Sequence, residues 1–253
     1  MKQFVFFSLL IFSLAQCSGR QSEKDLVILT VSNDRVELIK ALSLIKSCKP
    51  KSVFINMDLG ACNQDSIDNQ LRKAFKGIDS LVVSSKVVPY GTGKYRDAGL
   101  FCPYFDSKST KDGFINLITK DYVSNQVERV QIKNIFLNRS EDFGIPNKEV
   151  ISHHMAVKIA LALDAERTTK FLKKNIDTLK IDFGKRREFQ TYDANQLAKE
   201  GTAKEALNGK AVIITGLPYD YLLVPRDGSK SGEFRKMSTS EIFANIACQI
   251  LGK

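Results

Sequence analysis

The stretch Leu26-Val27-Ile28-Leu29-Thr30-Val31 decides the fold class of this 253-residue chain. It is a continuous run of aliphatic and β-branched residues, and such runs are typical of strands that are buried on both faces of a sheet. We therefore expect residues 26–31 to form an inner strand of a sheet that helices cover.

Helical and extended patterns alternate after this strand. Apolar residues within 36–45 recur on one helical stripe, which Asn33 or Asp34 can cap, and Pro50 ends the segment. The next predicted elements are a strand at 52–57, a helix at 67–75 and a strand at 80–88. Such β-α-β-α-β alternation predicts right-handed crossovers and a parallel sheet between helical layers.

The second half of the chain adds further elements of both kinds. Two short extended runs, 113–118 and 126–132, suit a hairpin and indicate a mixed sheet. The remaining predictions are helices at 148–163, 166–174, 194–207 and 239–251, short extended pieces at 179–183 and 188–192, and a second central strand at 211–216. We therefore predict an α/β protein, a three-layer α/β/α fold with a mainly parallel, mixed central sheet.

The front of the chain reads as an export signal. Lys2 precedes an apolar run, Phe4–Leu14, that is shorter than the roughly 20 residues of a transmembrane helix. The sequence Leu14-Ala15-Gln16-Cys17 then resembles the lipobox of bacterial lipoproteins, although Gln16 stands where those boxes usually have Gly, Ala or Ser. The alternative is ordinary secretion, in which Cys17 lies near the cleavage site but carries no lipid.

These features predict a signal peptide at 1–16, a lipid-anchored tether at 17–25 and one domain at 26–253. No Pro/Ser-rich linker or internal repeat divides the domain, and 43% hydrophobic residues suit a globular core. The predicted location is the cell envelope, on its periplasmic or surface face, with lipid on Cys17 as the membrane contact.

The formal net charge of +10 would favour nucleic-acid binding in a cytoplasmic chain. Because the chain is predicted to be exported, we expect no nucleic-acid partner. One basic cluster contains Lys170, Lys173, Lys174, Lys185, Arg186 and Arg187. It is either a solvated face or a surface that attracts anionic lipid headgroups.

Four further cysteines lie in the predicted domain: Cys48, Cys62, Cys102 and Cys248. An exported protein permits disulfides, and four cysteines allow three pairings. Cys62 and Cys102 each follow a probable strand, so their pairing is favoured, with free buried thiols as the alternative. The cysteines are too widely spaced, and His153 and His154 too close, for zinc-ligand spacing, so we predict no metal site and no cofactor.

Several spaced motifs together resemble one family, the type-two CHASE domains. These motifs are the strand 26–31, Val53-Phe54-Ile55-Asn56-Met57-Asp58, Asp68-Asn69-Gln70-Leu71 with Leu81-Val82-Val83, Gly113-Phe114-Ile115-Asn116, the Ile181–Tyr192 piece, Leu207–Ile214 and Ser240–Asn245. The resemblance covers about residues 26–251 and depends on the ordered set, because no single motif is specific.

This family consists of extracytoplasmic sensory domains associated with cyclases and histidine kinases. The resemblance implies a sensory or binding role without catalysis. Typical members continue into membrane spans and a cytoplasmic output module, and this sequence ends at Lys253 without one. We therefore expect any signal either to pass sideways to another protein, such as a membrane-bound signalling protein, or not to be passed on.

The sequence contains no Gly-x-Ser-x-Gly, Walker-type, His-Glu-x-x-His or Gly-x-Gly-x-x-Gly enzyme motif. Asp58 follows the second strand at the edge where open α/β sheets bind ligands, and Asp34 follows the first. With Asn116 they are the predicted ligand-binding residues. The alternatives are a helix cap for Asp34, a loop-ordering hydrogen bond for Asp58 and a turn contact for Asn116.

Two other functions compete with a binding role: an envelope hydrolase, with a metal, that uses Asp58, and a purely structural envelope protein. The loop 88–113 carries aromatic residues that either cover the ligand edge as a lid or pack the loop down: Tyr90, Tyr95, Phe101, Tyr104 and Phe105. His153 and His154 point about 100° apart on a helix, so we expect a half-buried or exposed pair rather than a shared site.

Overall fold

Parallel pairing around the first strand organises the fold. The computed structural model describes residues 23–61, 64–89, 96–98, 105, 110–120, 126–138, 148–184, 187–217, 221–225 and 233–252. Strand β1 (Leu26–Ser32) lies between two parallel neighbours, β12 (Gln190–Asp193) and β13 (Ala211–Leu217). All but its last residue are buried, so the predicted inner strand is confirmed.

The central sheet has six strands in the order β12-β1-β13-β2-β3-β6. The other three strands are β2 (Ser52–Asn56), β3 (Leu81–Ser85) and β6 (Thr110–Phe114). All five neighbouring pairs in this order are parallel. The predicted mainly parallel sheet of a three-layer α/β/α fold is therefore confirmed.

Alternating side chains of β13 supply the two hydrophobic cores. Val212 and Ile214 point to one face of the sheet, whereas Ala211 and Ile213 point to the other. The first face is covered by α1 (Arg35–Cys48), α2 (Ser66–Lys76), α5 (Ala194–Glu200) and α6 (Ala203–Leu207). The second face is covered by α3 (Met155–Leu163), α4 (Ala165–Leu172) and α7 (Thr239–Ile250).

Side-chain caps fix where the helices begin. Asp34 accepts a hydrogen bond from the Glu37 backbone N–H and caps α1. Ser238 and Glu241 form a capping box at the start of α7. Gly201, in the left-handed region at φ 68°, ends α5, so the helix predicted over 194–207 is two helices.

The helix predicted over 148–163 is wrong in its first third. Strand β10 (Lys148–His153) pairs antiparallel with β9 (Lys133–Asn138), and the helix α3 begins only at Met155. The segment includes the β-branched neighbours Val150 and Ile151, and cross-strand pairing outweighs its helical spacing. Ile151 is 57% exposed, which is consistent with a strand outside the core.

Antiparallel pairing is confined to smaller sheets. The predicted hairpin exists, because β7 (Leu117–Thr119) pairs antiparallel with β8 (Val127–Gln131), but it lies outside the central sheet. The other strands of the small sheets are β4 (Val87–Pro89), β5 (Arg96–Ala98), β11 (Thr178–Lys180), β14 (Tyr221–Pro225) and β15 (Phe234–Ser238). Within the described ranges, none of the helices combines the length and apolar character needed to cross a bilayer.

Candidate functional site

The carboxyl ends of the parallel strands meet at one edge of the central sheet. After β1 and β2 the chain enters α1 and α2 on one face. After β13 it forms the β14–β15 hairpin and then enters α7 on the opposite face. Where connections diverge in this way, open α/β sheets leave a crevice in which ligands bind.

A cleft of about 170 Å³ occupies this position. It is lined by Asn33, Asn56, Met57, Asp58, Ser84, Lys86, Ile115, Thr215, Gly216 and Thr239. These residues come from the carboxyl ends of five neighbouring strands and the first turn of α7. We call this feature the carboxyl-edge cleft.

Asn56 joins the sheet to α7 at the floor of the cleft. Its Nδ2 donates to Thr239 Oγ1 at 2.8 Å and to Ser240 Oγ at 2.9 Å. Ser240 is fully buried, so its end of this contact is shielded from water. Ser84 Oγ donates to the Met57 backbone oxygen at 2.8 Å and orders the neighbouring turn. The floor of the cleft is therefore held in place by hydrogen bonds.

Asp58 is exposed at the mouth of the cleft. One carboxylate oxygen, Oδ1, accepts a hydrogen bond from the Gly60 N–H at 2.9 Å, so the loop-ordering contact considered for Asp58 is present. A carboxylate has capacity for several hydrogen bonds beyond one backbone donor. Lys86 lies on the same lining. The mouth therefore offers one negative and one positive side chain to a polar molecule.

Gly216 lies where β13 closely approaches the side chain of Asn33. A Cβ added at Gly216 would lie 2.7 Å from Asn33 Oδ1, well inside contact distance. The Asn33 backbone N–H donates to the Leu217 oxygen at 3.2 Å, which holds the two segments together. The close approach of these segments shapes one wall of the cleft.

The other two predicted ligand-binding residues lie beside the cleft rather than on its lining. Asp34 is adjacent to the lining residue Asn33 and caps α1, with the Glu37 N–H donating to its Oδ1 at 2.8 Å. Asn116 is half-buried and follows the lining residue Ile115. The structure therefore brings the three predicted segments to one edge and directs only Asp58 into the cleft.

A buried ion pair lies next to this edge. Arg35, in the first turn of α1, pairs with Asp68, whose side chain is fully buried. The Arg35 guanidinium also lies 5.6 Å from the ring centroid of Phe105, which packs edge-on against Phe75. Phe105 is fully buried. The other four residues of the predicted lid lie outside the described residues.

His154 is buried between two aromatic rings. The centroid of its imidazole ring lies 5.3 Å from that of Phe114 and 5.1 Å from that of Phe243. Its Nδ1 accepts a hydrogen bond from the Ala156 N–H at 3.1 Å, which places the ring proton on Nε2. Burial lowers the pKa of His154 to about 3. The nearby backbone of Ile115 acts in the opposite direction and raises the pKa. The contact between this backbone and His154 Nε2 does not meet the geometry of a hydrogen bond.

The two histidines therefore differ in environment. His153 is half-buried, as predicted, and burial with the nearby Lys158 and Lys133 charges lowers its pKa. The prediction of a half-buried or exposed side chain is wrong for His154, because that ring caps α3 inside the core. Its role in the described structure is to cap and pack.

The predicted disulfide lies outside the described residues, as does Cys17. Cys48 and Cys248 are buried thiols, as the alternative considered for the cysteines supposes. Across the described ranges, no three His, Cys, Asp or Glu side chains converge to form a metal site.

Several lining residues were not predicted from the sequence: Asn33 as a wall residue, Asn56, Ser84, Lys86, Thr215 and Thr239. Each lies at or just after the end of an observed strand, or at the start of the last helix. Their common signal is a polar residue close to the carboxyl end of a buried run. That signal becomes specific only when the strand order is known.

Comparison of the chain with protein-family models, with curated proteins and with solved structures found no match. The resemblance to type-two CHASE domains stays a prediction.

Proposed function

We propose that this chain is an extracytoplasmic, lipid-anchored sensory or binding domain without catalytic activity, similar to a type-two CHASE domain. Its ligand is a small polar molecule bound in the carboxyl-edge cleft, and its partner is a membrane-bound signalling protein. The observation that supports the ligand site is the cleft itself, with its ordered polar floor and its two charged side chains at the mouth.

The size and chemistry of the cleft restrict the ligand class. A volume of about 170 Å³ is below the range of roughly 300–1,000 Å³ that is usual for drug-sized ligands. Asp58 suits a cationic or hydrogen-donating group and Lys86 suits an anionic group. A small zwitterion or polar metabolite matches these features.

Thermal-shift screening of pooled small metabolites, followed by calorimetry of single compounds, tests this assignment. A ligand of the cleft should bind the wild-type chain and lose at least tenfold in affinity in the Asp58→Asn variant, because a charge-assisted hydrogen bond is lost. Asp34→Asn and Asn116→Ala measure how far the site extends beyond the lining.

Asp193→Asn is the matched control. Asp193 lies at the same sheet edge, caps α5 through a 2.9 Å hydrogen bond from the Gln196 N–H, and lines no part of the cleft. Asn also caps helices well, so the control changes the charge and preserves the fold. Equal losses in the two variants would show that the cleft is not the site.

Labelled palmitate tests the anchor independently. Incorporation and membrane retention should both be lost in the Cys17→Ala variant. If both persist, the lipid anchor is wrong, whatever the cleft binds.

The hydrolase alternative gives a different result with the same variant. Asp58→Asn would abolish turnover of an envelope substrate in a hydrolase, whereas the binding domain has no turnover to lose. A structural protein would give no thermal shift with any metabolite.

A further inference from the structure

The described chain begins at the amino edge of the sheet, opposite the carboxyl-edge cleft. Glu23 pairs with Arg187, and the Asp25 backbone oxygen accepts a hydrogen bond from the Ala211 N–H at the first residue of β13. Six residue steps separate Cys17 from Glu23. At roughly 3.6 Å each they span at most about 22 Å. A lipid on Cys17 therefore keeps this edge close to the bilayer.

The same edge carries exposed lysines. Helices α1 and α2 end there, with Lys46 and Lys76 in their last turns. Lys49 and Lys51 follow α1 directly, and both are exposed. The Lys46 ammonium lies 2.8 Å from the position that a Cβ of Gly77 would take, so it extends over the turn that follows α2. We call these four lysines the amino-edge lysines.

A cleft of about 540 Å³ opens between two of the amino-edge lysines. Lys46 and Lys49 lie on its lining, and Asp79 is the only acidic residue among its lining residues. Lysines near a helix C-terminus are stabilised by the negative end of the helix dipole. The fold thus keeps these charges at the edge while leaving them exposed to solvent.

We infer that the amino-edge lysines dock this domain on an anionic phospholipid surface, an inference that rests on the proposed anchor at Cys17. The exposed lysines, whose charge is opposite to that of the phospholipid headgroups, and the start of the short tether lie at the same edge of the sheet. Each lysine close to an anionic bilayer contributes roughly a fivefold factor to binding. The carboxyl-edge cleft, at the other ends of the same strands, then faces away from the membrane.

This surface differs from the basic cluster that the sequence indicates. The side chain of Arg187, in that cluster, is 5% exposed and donates to Asn245 Oδ1, so it stabilises the fold. Lys185 and Arg186 lie outside the described residues. Lys170, Lys173 and Lys174 are exposed in and after α4.

Vesicle flotation of the exported chain carrying Cys17→Ser tests the docking without the lipid. This chain should bind phosphatidylcholine vesicles that contain phosphatidylglycerol at low salt, and binding should weaken as salt screens the charges. The double variant Lys46→Gln/Lys76→Gln should bind about 25-fold more weakly, by two factors of roughly five.

The control double variant is Lys40→Gln/Lys236→Gln, which removes the same charge elsewhere. Lys40 lies in the amino-terminal half of α1, where it pairs with Glu37, and Lys236 is two residues before the cap of α7, so both lie nearer the carboxyl edge. This control should keep nearly all binding. Equal losses in the two double variants, or no binding to anionic vesicles at low salt, would overturn the inference. Palmitate labelling of the Cys17 chain reports the anchor separately, so failure of the anchor and failure of the docking surface are distinguishable.

Discussion

The Arg35 guanidinium pairs with the Asp68 carboxylate, which is completely buried at the start of α2. The Gln64 N–H donates to the other carboxylate oxygen at 2.9 Å. Arg35 also donates to the Ala61 backbone oxygen. One guanidinium thus joins the first turn of α1 to the loop after β2, the same loop that carries Asp58.

Replacing Arg35 by Met should therefore lower the free energy of unfolding by about 3 kcal/mol, because a buried carboxylate loses its opposite charge. Chemical denaturation measures this change. Lys40→Met is the control, because the Lys40–Glu37 pair is exposed and its loss should leave the denaturation midpoint unchanged. An Arg35→Met variant as stable as the control would show that the buried pair contributes nothing.

His154 predicts a loss of stability on mild acidification. The unfolded residue binds a proton near pH 6.5 and the folded residue only near pH 3, so the unfolded state binds more protons between these values. Stability is therefore complete above pH 6.5 and falls by about 1.4 kcal/mol per pH unit below it.

His154→Asn should flatten this dependence between pH 6.5 and 5, since Asn retains an acceptor for the Ala156 N–H. Denaturation at a series of pH values measures the slope. His153→Asn is the companion variant, and it should flatten the slope less because His153 is only half-buried. An unchanged slope in His154→Asn would contradict the burial of a neutral ring.

Replacing Gly113 should create a packing defect. A Cβ there would lie 3.1 Å from Met155 Cα, in the backbone of α3, which cannot swing aside. Gly113→Ala should therefore reduce the free energy of unfolding by about 1–3 kcal/mol. In Gly77→Ala the three atoms nearest to the added methyl all belong to the flexible side chain of Lys46, so stability should change by less than about 0.5 kcal/mol. Comparable effects at both sites would argue against the close approach of α3 to β6.

The cysteines predict a specific labelling pattern. Cys48 and Cys248 are almost fully buried, so they should not react with iodoacetamide in the native protein. After unfolding without a reducing agent both should be alkylated, whereas Cys62 and Cys102 should stay protected by their predicted disulfide. Peptide mapping distinguishes the four positions. Alkylation of Cys62 and Cys102 before reduction would exclude that bond.

The sequence predicted the layers of this fold well, because buried parallel strands and capped helices leave local patterns. The run 26–31 and the run 211–216 were both placed correctly as inner strands. The segment 148–153 was not, since its partner β9 supplies the cross-strand contacts that decide its state. No local pattern contains such information.

The site was less accessible to prediction. Asp58 was found because it directly follows a buried strand. Thr239 and Thr215 were not, because their approach to Asp58 depends on β13 lying beside β2, far apart in the sequence. His154 was misjudged for a related reason: only the packing of Phe114 and Phe243 makes that position fully buried.

The helix α7 connects the two ends of the domain. Its first residue, Thr239, lines the cleft, and near its other end Gln249 exchanges hydrogen bonds with the backbone of Lys180 and Asp182. Twelve helical residues form a rigid strut about 18 Å long. A molecule that displaces Thr239 should therefore also shift Gln249, which lies at the opposite end of the helix from the cleft.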